Sequence, residues 1–337
     1  MNEQHIVIAA STTNRGTDGF GDSSVVSAVG RSLRTDGVAL DILELASSAD
    51  LHRLDRLPAR AIVFPACRRL ADNTSLVEAL EDRGVFVVGG GRVAGQAENK
   101  LFMKAMLASR GIATPAWSDR PRDVAALGCP LVGKPVAGAE SIGVCHLDST
   151  AAAVAYLSAG NRFVEQWHRR SEYTVAIMGN GSHPQAAAIE VVLEPNDVIL
   201  SAEIKEQRIA ATMHAPTDPS ADRAIAVAVA AFAALGLRDW ARVDVVLDRH
   251  GDPYVVDVNA LPGLRIDPQN PSFYPKCFAV GRGASYETMV RALAGTAMSR
   301  YGLELPPLIA EACEAVGNNA RTWTGPPPTP TPARSAQ

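Results

Sequence analysis

The stretch RVDVVLDRHGDPYVVDVNALPG, residues 242–263, constrains the fold more than any other part of the sequence. Two apolar runs flank the turn-forming RHGDP, and this pattern predicts an antiparallel β-hairpin. Asp244 and Asp257 interrupt the two runs, and Asn259 follows Asp257 by two residues. An unpaired carboxylate is costly to bury inside a sheet. We therefore expect the hairpin to carry its acids for a binding site rather than for a core.

Length and composition limit what this hairpin can belong to. The chain has 337 residues, of which 47% are hydrophobic and 20% charged, as expected for a globular protein of two or three domains. The net charge of -4 gives no reason to expect a nucleic-acid or membrane partner. Its 5 cysteines lack CxxC spacing and favour a reducing cytoplasm over a disulfide framework. We expect neither a signal peptide nor a membrane span.

The order of predicted elements divides the chain into segments. The segments are 1–95, 96–169, 170–310 and 311–337. The first alternates short apolar runs with helical stretches, which is typical of a parallel, Rossmann-like α/β layer. The second begins with a predicted helix over 96–116, and the third contains a polar stretch, 203–216, that we predict to be a mobile flap. The last becomes proline-rich from residue 325 and is predicted to be disordered there.

A glycine-rich stretch, VGKPVAGAESIGV at 132–144, places Lys134 at the end of a predicted strand. Backbone N–H groups in such a loop can cradle phosphate oxygens, because glycine permits close approach. Glu140 and Ser141 lie in this loop and are candidate nucleotide-binding residues. The stretch matches neither the P-loop nor the GxGxxG motif. An ordinary turn with a solvated lysine is the alternative interpretation.

Two glutamates and a lysine extend this candidate site. Glu165 ends an apolar strand, where its carboxylate could accept a hydrogen bond from an adenine amine or a ribose hydroxyl, and Glu172 opens the next strand. Lys205 lies in the predicted flap and could contact phosphates. For each of these residues, a solvated surface charge is the competing interpretation.

The hairpin gives the strongest signal for a site. Asp244, Asp257 and Asn259 supply the hard oxygen ligands that suit Mg²⁺, and cross-strand neighbours lie about 5 Å apart. Arg242 precedes Asp244 by two residues and therefore points to the same face of its strand. The backbone N–H of Gly263 could face a developing oxyanion. A buried structural network, in which Arg242 simply pairs with Asp244, is the alternative.

Taken in order, these motifs resemble those of the ATP-grasp carboxylate–amine ligases, and most of all those of the D-alanine–D-alanine ligases. ENKLFMK resembles the family's DKxxxK helix, LGCPLVGKP its LGxPxxVKP strand and ESIGV its S-S-x-G loop. VEQWHRRSEYTVAIMG is similar to xExxxxGxEFTVxxLG, and WARVDVVLDRHGDPYVVDVNALPGL to GxxRxDxxxDxxGxxxxxExNxxPGM. Because the similarity is collinear from about residue 96 to 300, it is far more specific than any single motif.

The resemblance implies an ATP-grasp fold, in which a Rossmann-like N-terminal domain precedes two α+β subdomains that clasp ATP between antiparallel sheets. ATP would phosphorylate a carboxylate, and an amine would attack the acyl-phosphate to give an amide, ADP and phosphate. Two Mg²⁺ ions are implied, for which Mn²⁺ can substitute. The partners would be small amino-acid or carboxylate substrates, without nucleic acid or membrane, and the N-terminal layer makes a homodimer plausible.

The resemblance also implies roles for individual residues in nucleotide binding. Lys100 and Lys134 would hold the phosphates, and Lys205 would reach the γ-phosphate. Glu165 would hold adenine and Glu172 the ribose.

The resemblance implies further roles for residues beside the adenine site and on the hairpin. Gln166 and Trp167 follow in the adenine segment, where Gln166 replaces a lysine common in the family. The three hairpin oxygen ligands would bind Mg²⁺, although Asp257 stands where the family usually has the longer Glu. Arg242 and the Gly263 amide would stabilise the tetrahedral intermediate.

The departures from the family pattern concern the substrate-binding positions. The N-terminal segment lacks the GGxSxExxVS motif whose glutamate holds the first substrate's ammonium, and STTNRGTDGFGDSS offers Asp18 or Asp22 instead. PACRRLADN replaces the later HGxxGEDG motif and places Cys67 or Arg68 near the first-substrate pocket. Ser272, beyond the LPGL turn, is a further candidate substrate contact. We therefore expect substrates that differ from those of a cell-wall enzyme.

We therefore expect an ATP-dependent ligase that joins an amino acid or small carboxylic acid to an amine, in specialised metabolism or peptide biosynthesis. An ATP-grasp enzyme that phosphorylates or cyclises one small substrate is an alternative. A non-catalytic nucleotide-binding regulatory protein is a remoter alternative, and the retention of Arg242, Lys205 and the hairpin acids argues against it.

Overall fold

Three β-sheets organise the chain in a computed structural model. The residues described are 3–11, 23–168, 171–181, 184–207 and 209–318. The strands are β1 (Gln4–Ser11), β2 (Val38–Leu45), β3 (Ile62–Pro65), β4 (Phe86–Val87), β5 (Trp117–Ser118), β6 (Leu131–Pro135), β7 (Cys145–Leu147), β8 (Arg162–Gln166), β9 (Ser171–Gly179), β10 (Gln185–Val191), β11 (Met213–His214), β12 (Asp239–Leu247) and β13 (Pro253–Asn259).

Helices connect and cover these sheets. The α-helices are α1 (Ser23–Leu33), α2 (Leu76–Asp82), α3 (Gly91–Ala97), α4 (Lys100–Ser109), α5 (Val124–Leu127), α6 (Thr150–Leu157), α7 (Ala202–Gln207), α8 (Ile209–Thr212), α9 (Ser220–Ala234), α10 (Phe273–Arg282), α11 (Tyr286–Arg300) and α12 (Pro307–Asn318). Short 3₁₀ helices span Ser48–Arg56 and Pro121–Asp123.

The first sheet is parallel and has the strand order β2-β1-β3-β4. Its central strand β1 pairs Ile6 with Leu40 on one side and with Ile62 on the other. Ile6 and Ile8 are fully buried, because a parallel sheet is covered on both faces and its strands become continuous apolar runs. The predicted parallel α/β layer at the N-terminus is confirmed.

The second sheet is antiparallel, has the order β5-β8-β6-β7 and uses residues 117–166. Helix α6 packs beside it through Tyr156. A Cβ on Gly133 of β6 would lie 2.7 Å from the Tyr156 ring, so only glycine allows the ring to approach the strand this closely. The tyrosine hydroxyl then donates to the carbonyl of Gly143 at 2.7 Å and fixes the glycine-rich loop against the helix.

The third sheet is antiparallel, with the order β11-β10-β9-β12-β13, and contains the hairpin. The predicted hairpin is formed by β12 and β13, and Asp248 closes its turn by accepting from the backbone N–H groups of His250 and Asp252. The register places Asp244 opposite Asp257. Two residues along, on the same face of the hairpin, it places Arg242 opposite Asn259. The hairpin therefore brings the predicted metal ligands together on adjacent strands.

The prediction of one helix over 96–116 is wrong in its extent. There are two helices, because Asn99 leaves the helical conformation and its side chain caps α4 by accepting from the backbone N–H of Phe102 at 3.0 Å. Gly111, with a φ of 71°, ends the turn that follows α4. The break frees the Lys100 N–H to donate to the Val136 carbonyl at 2.9 Å, which ties α4 to the second sheet.

A buried ion pair joins the N-terminal layer to the third sheet. Asp239, fully buried at the start of β12, accepts from Arg300 at 2.7 Å and from the backbone N–H of Gly89 at 2.7 Å. Asn180 donates to its other carboxylate oxygen at 2.8 Å. Because each partner comes from a different element, this carboxylate fixes the end of β9, α11 and the first sheet relative to one another.

The C-terminal helix α12 crosses the predicted boundary between residues 310 and 311 and packs on α11. Gly295 allows this close packing, since a Cβ there would lie 2.5 Å from the Cys313 sulfur. The proline-rich part predicted to be disordered from residue 325 lies outside the described residues. In the described part of the chain, no helix combines the length and the apolar character needed to span a membrane.

Candidate functional site

Two adjoining cavities lie where the second and third sheets face each other. The large cavity, of about 280 Å³, is lined by strands β6 and β8 on one side and by β9, β12 and β13 on the other. The small cavity lies beside the turn that follows β13. The residues that line both are Ala139, Glu140, Lys205, Arg242, Asn259 and Phe273.

A buried charge cluster lies at the ends of β6 and β8. The two oxygens of Glu165 lie 2.5 Å from Lys104 Nζ and 2.6 Å from Lys134 Nζ. Lys104 is 0% exposed and Glu165 only 2%. Lys104 also donates to the Thr114 hydroxyl at 2.7 Å, and Thr114 donates to the Val255 carbonyl at 2.8 Å. The cluster therefore links α4, the second sheet and the hairpin through hydrogen-bonded charges.

The cluster sets the ionisation of its members. Burial would raise the pKa of Glu165, but the charges of Lys104 and Lys134 outweigh burial and lower that pKa. Burial dominates at Lys104 and lowers its pKa. Burial also acts to lower the pKa of Lys134, yet Glu165 and Asp257 outweigh it, and the pKa is raised. Glu165 is thus held as a carboxylate and Lys134 as an ammonium facing the large cavity.

The second ion pair joins α4 to the hairpin. Lys100 Nζ lies 2.7 Å from Asp257 Oδ1, and the same oxygen accepts from the backbone N–H of Val258 at 3.0 Å. Burial would raise the pKa of Asp257, but Lys100 and Lys134 hold it well below its usual range. Asp257 is therefore an ionised carboxylate at the cavity wall at neutral pH.

Arg242 and Asp244 form a bidentate pair on β12. Arg242 Nε donates to Asp244 Oδ1 at 3.1 Å and Nη2 to Oδ2 at 3.0 Å, while the Thr174 hydroxyl donates to Oδ1 at 3.0 Å. Burial acts to lower the pKa of Arg242, but Asp244 outweighs it and the pKa is raised. The structural pairing foreseen as the alternative is present, and Arg242 also lines both cavities.

The hairpin side chains fit a hard cation. Asp244 and Asp257 are directly opposite each other, and Asn259 lines both cavities with a buried Nδ2 that has no hydrogen-bond partner. Within the described ranges, no group of three His, Cys, Asp or Glu side chains is placed to hold a metal. The donor set would thus be two carboxylates and one amide oxygen, which suits Mg²⁺ and not the nitrogen and sulfur preference of Zn²⁺.

The glycine-rich loop carries two consecutive non-glycine residues in the left-handed conformation. Glu140 has a φ of 57° and Ser141 a φ of 58°. Both line the large cavity, and Glu140 also lines the small one. Residues other than glycine adopt this backbone conformation only at a cost in conformational free energy. Such strain is concentrated at functional sites.

Lys205 lies on α7 inside the stretch predicted to be a flap. This stretch contains α7, α8 and the two residues of β11, which pairs with the end of β10. Lys205 lines both cavities. Burial, followed by the like charge of Arg242, lowers its pKa. An anion in either cavity would be the natural counter-charge for this ammonium group.

Four of the predicted substrate or oxyanion residues line the small cavity: Arg68, Arg242, Gly263 and Ser272. Arg68 Nε donates to the Leu261 carbonyl at 3.0 Å. The Cys67 side chain, in contrast, is 0% exposed within the apolar cluster of the first sheet and lines neither cavity. Because Cys67 is buried in this cluster while Arg68 lines the small cavity, Arg68 is kept as a candidate substrate contact and Cys67 is not.

The remaining predicted site residues either line the large cavity or lie outside the described residues. Gln166, Trp167 and Glu172 line the large cavity, and Gln166 Nε2 donates to the Leu127 carbonyl at 3.1 Å. Asp18 and Asp22 lie outside the described residues.

Two residues of the site escaped the sequence analysis. Lys104 lies one helical turn after Lys100, and nothing in the sequence indicates that it contacts Glu165. His168 lines the large cavity, stacks on Tyr254 with ring centres 4.7 Å apart, and has its pKa lowered by burial. Its place directly after Trp167, within the adenine segment, is the signal that could have identified it.

The sequence is similar to the D-alanine–D-alanine ligases, both to the family model and to individual proteins. The family model described as D-ala D-ala ligase C-terminus matches residues 110–294, more than half of the chain. The D-alanine–D-alanine ligase of Alcanivorax borkumensis is 28% identical over 247 residues, which are 70% of this chain and 78% of that protein. The D-alanine–D-alanine ligase of Stutzerimonas stutzeri is 30% identical over 238 residues, 66% and 72% of the two chains.

Solved structures agree with the sequence comparison at the level of the fold. The D-alanine–D-alanine ligase of Bacillus anthracis complexed with ATP superposes with a TM-score of 0.68 at 20% identity, covering 89% of this chain and 99% of that one. The VanG D-Ala:D-Ser ligase of Enterococcus faecalis gives a TM-score of 0.66 at 19% identity, covering 88% of this chain and 100% of that one.

Proposed function

Because the chain belongs to the D-alanine–D-alanine ligase family and has its ATP-grasp fold, we propose that it is an ATP-dependent carboxylate–amine ligase that releases ADP. It would join an amino acid or a small carboxylic acid to an amine or a second amino acid. The single observation that carries this proposal is the junction of the two cavities. Lys205, Arg242 and Asn259 line both, so a nucleotide in one and a carboxylate in the other would share the same charged residues.

We propose that the nucleotide occupies the large cavity, because three lysines and the glycine-rich loop line it. Lys100, Lys134 and Lys205 would contact the phosphates. Glu165, kept ionised by its two lysines, would accept from adenine, and Glu172 from the ribose. Ser141, Gln166 and Trp167 would complete the lining, with backbone N–H groups of the loop directed at phosphate oxygens.

The hairpin would hold the metal. Asp244, Asp257 and Asn259 would bind Mg²⁺, or Mn²⁺ in its place, and the expectation of two ions rests on the family resemblance. When bound, the metal neutralises phosphate charge and polarises the phosphoryl oxygens. Lys100, which donates to Asp257 at 2.7 Å, lines the same cavity and would contact the phosphates beside the metal ligands.

The chemistry would take place at the junction of the cavities. A carboxylate oxygen of the first substrate attacks the γ-phosphorus, and the bond to the ADP oxygen breaks. The amine of the second substrate then attacks the acyl carbon, loses a proton and expels phosphate. Arg242 and the backbone N–H of Gly263 would stabilise the oxyanion of this tetrahedral intermediate, because both line the small cavity.

We further propose that the physiological product is a specialised amide or peptide and not the cell-wall dipeptide. The support is at the substrate positions, where Arg68 lines the small cavity and the sequence lacks both N-terminal motifs of the cell-wall enzymes. A cytoplasmic location accords with five cysteines that form no disulfide. Small molecules would be its partners, and a homodimer through the N-terminal layer is part of the proposal.

Product masses test this function. The purified protein is incubated with ATP, Mg²⁺ and pools of D- and L-amino acids and small carboxylic acids, and ADP and products are measured. We expect ADP together with a product whose mass is the sum of two substrates less one water. A phosphorylated or dehydrated single substrate would replace the proposal by a kinase or cyclase function. Nucleotide binding without turnover in any pool would indicate a regulatory protein.

A further inference from the structure

The side chain of Glu140 is an acid in an otherwise cationic environment. The charged residues of the small cavity are Arg68, Glu140, Lys205, Arg242 and Arg265, so Glu140 is the one acid among its described lining residues. In the part of the chain that the structure describes, Glu140 forms no hydrogen bond and no close ion pair. Its charge still acts at longer range to favour the charged forms of Lys205 and Arg242.

The backbone of Glu140 is held in a conformation that this residue type rarely adopts. Its φ is 57°, and the neighbouring Ser141 repeats the left-handed conformation with a φ of 58°. The loop is fixed by the hydrogen bond from Tyr156 to Gly143 at 2.7 Å. A strained, externally fixed backbone that directs a side chain into a cavity is typical of a functional position.

Glu140 does not suit the phosphates that the rest of the loop would bind. A carboxylate beside a triphosphate suffers like-charge repulsion, which is strong where water is excluded. The family's S-S-x-G loop corresponds to ESIG here, so the acid replaces a neutral serine hydroxyl at this position. The extra negative charge favours a positive group of the ligand on the side of the small cavity.

We propose that Glu140 binds the ammonium group of an amino-acid substrate in the small cavity and so restricts the carboxylate substrate to amino acids. The carboxyl group of that substrate would lie toward Lys205 and Arg242, which line the same cavity. Opposite charges at its two ends orient an amino acid in one direction, with the carboxylate toward the phosphates. Glu140 is thus a specificity-determining residue in the loop whose backbone would hold the nucleotide.

This inference rests on the proposed ligase function, and a hydroxamate assay separates the two. With hydroxylamine as acceptor, an acyl-phosphate formed from ATP yields a hydroxamate and phosphate, so carboxylate activation is measured without the natural amine. Each amino acid that the wild-type protein activates is compared with the matching carboxylic acid that lacks the amino group. If the wild-type protein forms no hydroxamate and releases no ADP with any acid, the proposed function fails before Glu140 is tested.

The variants Glu140→Gln and Glu140→Ser remove the charge and keep a polar side chain. For the amino acid, kcat/KM should fall about 10- to 100-fold, as expected when a charged hydrogen-bond partner is lost, whereas the value for the acid without the amino group should change little or rise. Glu140→Asp should retain part of the preference. Glu311→Gln, the same change on the exposed face of α12 and away from both cavities, is the matched control and should leave both values unchanged.

Three results would overturn the proposal. Equal losses for the amino acid and for its counterpart without the amino group would assign Glu140 a structural role in the loop or the flap. A raised Mg²⁺ requirement in Glu140→Gln, with unchanged substrate preference at saturating Mg²⁺, would make it a metal ligand. Full retention of the amino-acid preference in both variants would exclude Glu140 from the substrate site.

Discussion

Asp244 and Asp257 lie directly opposite each other on β12 and β13, yet each is bound by a cation from a different element. Arg242 holds the first through two hydrogen bonds from the same strand, and Lys100 holds the second from α4. Two facing carboxylates would otherwise repel each other and raise one pKa. Lys100 and Lys134 hold the pKa of Asp257 well below its usual range, so a divalent metal bound by this pair would have a ready anionic ligand.

Removal of one carboxylate tests the metal site. Asp257→Asn should lower turnover by about 10²-fold or more, because an ionised ligand and its share of phosphate neutralisation are lost, while the fold persists. The measurement is ADP release at saturating Mg²⁺, with circular dichroism to check folding. Asp252→Asn, in the exposed hairpin turn, is the control and should keep wild-type turnover. Near wild-type ADP release from Asp257→Asn would remove Asp257 from the site.

Arg242 distinguishes a ligase from a mere nucleotide binder. Arg242→Lys keeps the charge but loses the fork that binds Asp244 and an oxyanion together. Nucleotide binding should persist, and product formation should fall by about 10²-fold or more, the usual loss for an oxyanion donor. Isothermal titration with ATP analogues, beside steady-state kinetics, measures the two separately. Joint loss of folding and nucleotide binding would favour a structural role, and full ligation would end the assignment.

The stretch 203–216 should close over the nucleotide. Its helices α7 and α8 are short, and its strand β11 has only two residues, so it can open at a low free-energy cost. We expect limited proteolysis within this stretch in the free protein and protection when an ATP analogue and Mg²⁺ are present. Equal cleavage rates in both states would mean that Lys205 is carried by an ordinary surface segment.

The buried pair of Lys104 and Glu165 should show strong energetic coupling. Lys104→Met leaves the Glu165 charge with one lysine and should destabilise the fold by about 3 kcal/mol, the usual cost of breaking a buried pair. Adding Glu165→Gln removes the uncompensated charge, so the double variant should be less destabilised than the sum of the single variants. Urea denaturation of the wild-type protein, the two single variants and the double variant measures the four free energies of unfolding. Additive losses would mean that the two groups act independently.

The hairpin side of the site could be predicted from the sequence because strand geometry determines it. Side chains two residues apart share a face, so Arg242 with Asp244, and Asp257 with Asn259, follow from the period of a strand. The turn type then sets the cross-strand register closely enough to bring these pairs together. The parallel N-terminal layer was predictable for a similar reason, since continuous apolar runs are typical of strands covered on both faces.

Other features depend on contacts between distant parts of the chain. Lys104 and Glu165 lie 61 positions apart in the sequence, and no local pattern indicates that they form a pair. The break between α3 and α4 depends on one capping hydrogen bond at Asn99, which a run of helix-favouring residues conceals. Cys67 and Arg68 could not be told apart because their orientation depends on how the chain leaves β3. The direction of Glu140 depends on a backbone conformation that its residue type disfavours.

Oxygen transfer tests the central claim most directly. An amino acid that the enzyme ligates is labelled with ¹⁸O in its carboxyl group, and the phosphate released with ATP, Mg²⁺ and the amine is analysed by mass spectrometry. An acyl-phosphate requires a carboxylate oxygen to leave with the phosphoryl group, so each phosphate should carry one ¹⁸O and the amide should keep the other. Unlabelled phosphate at full ligation would contradict the account, because the carboxylate would then not have attacked the γ-phosphorus.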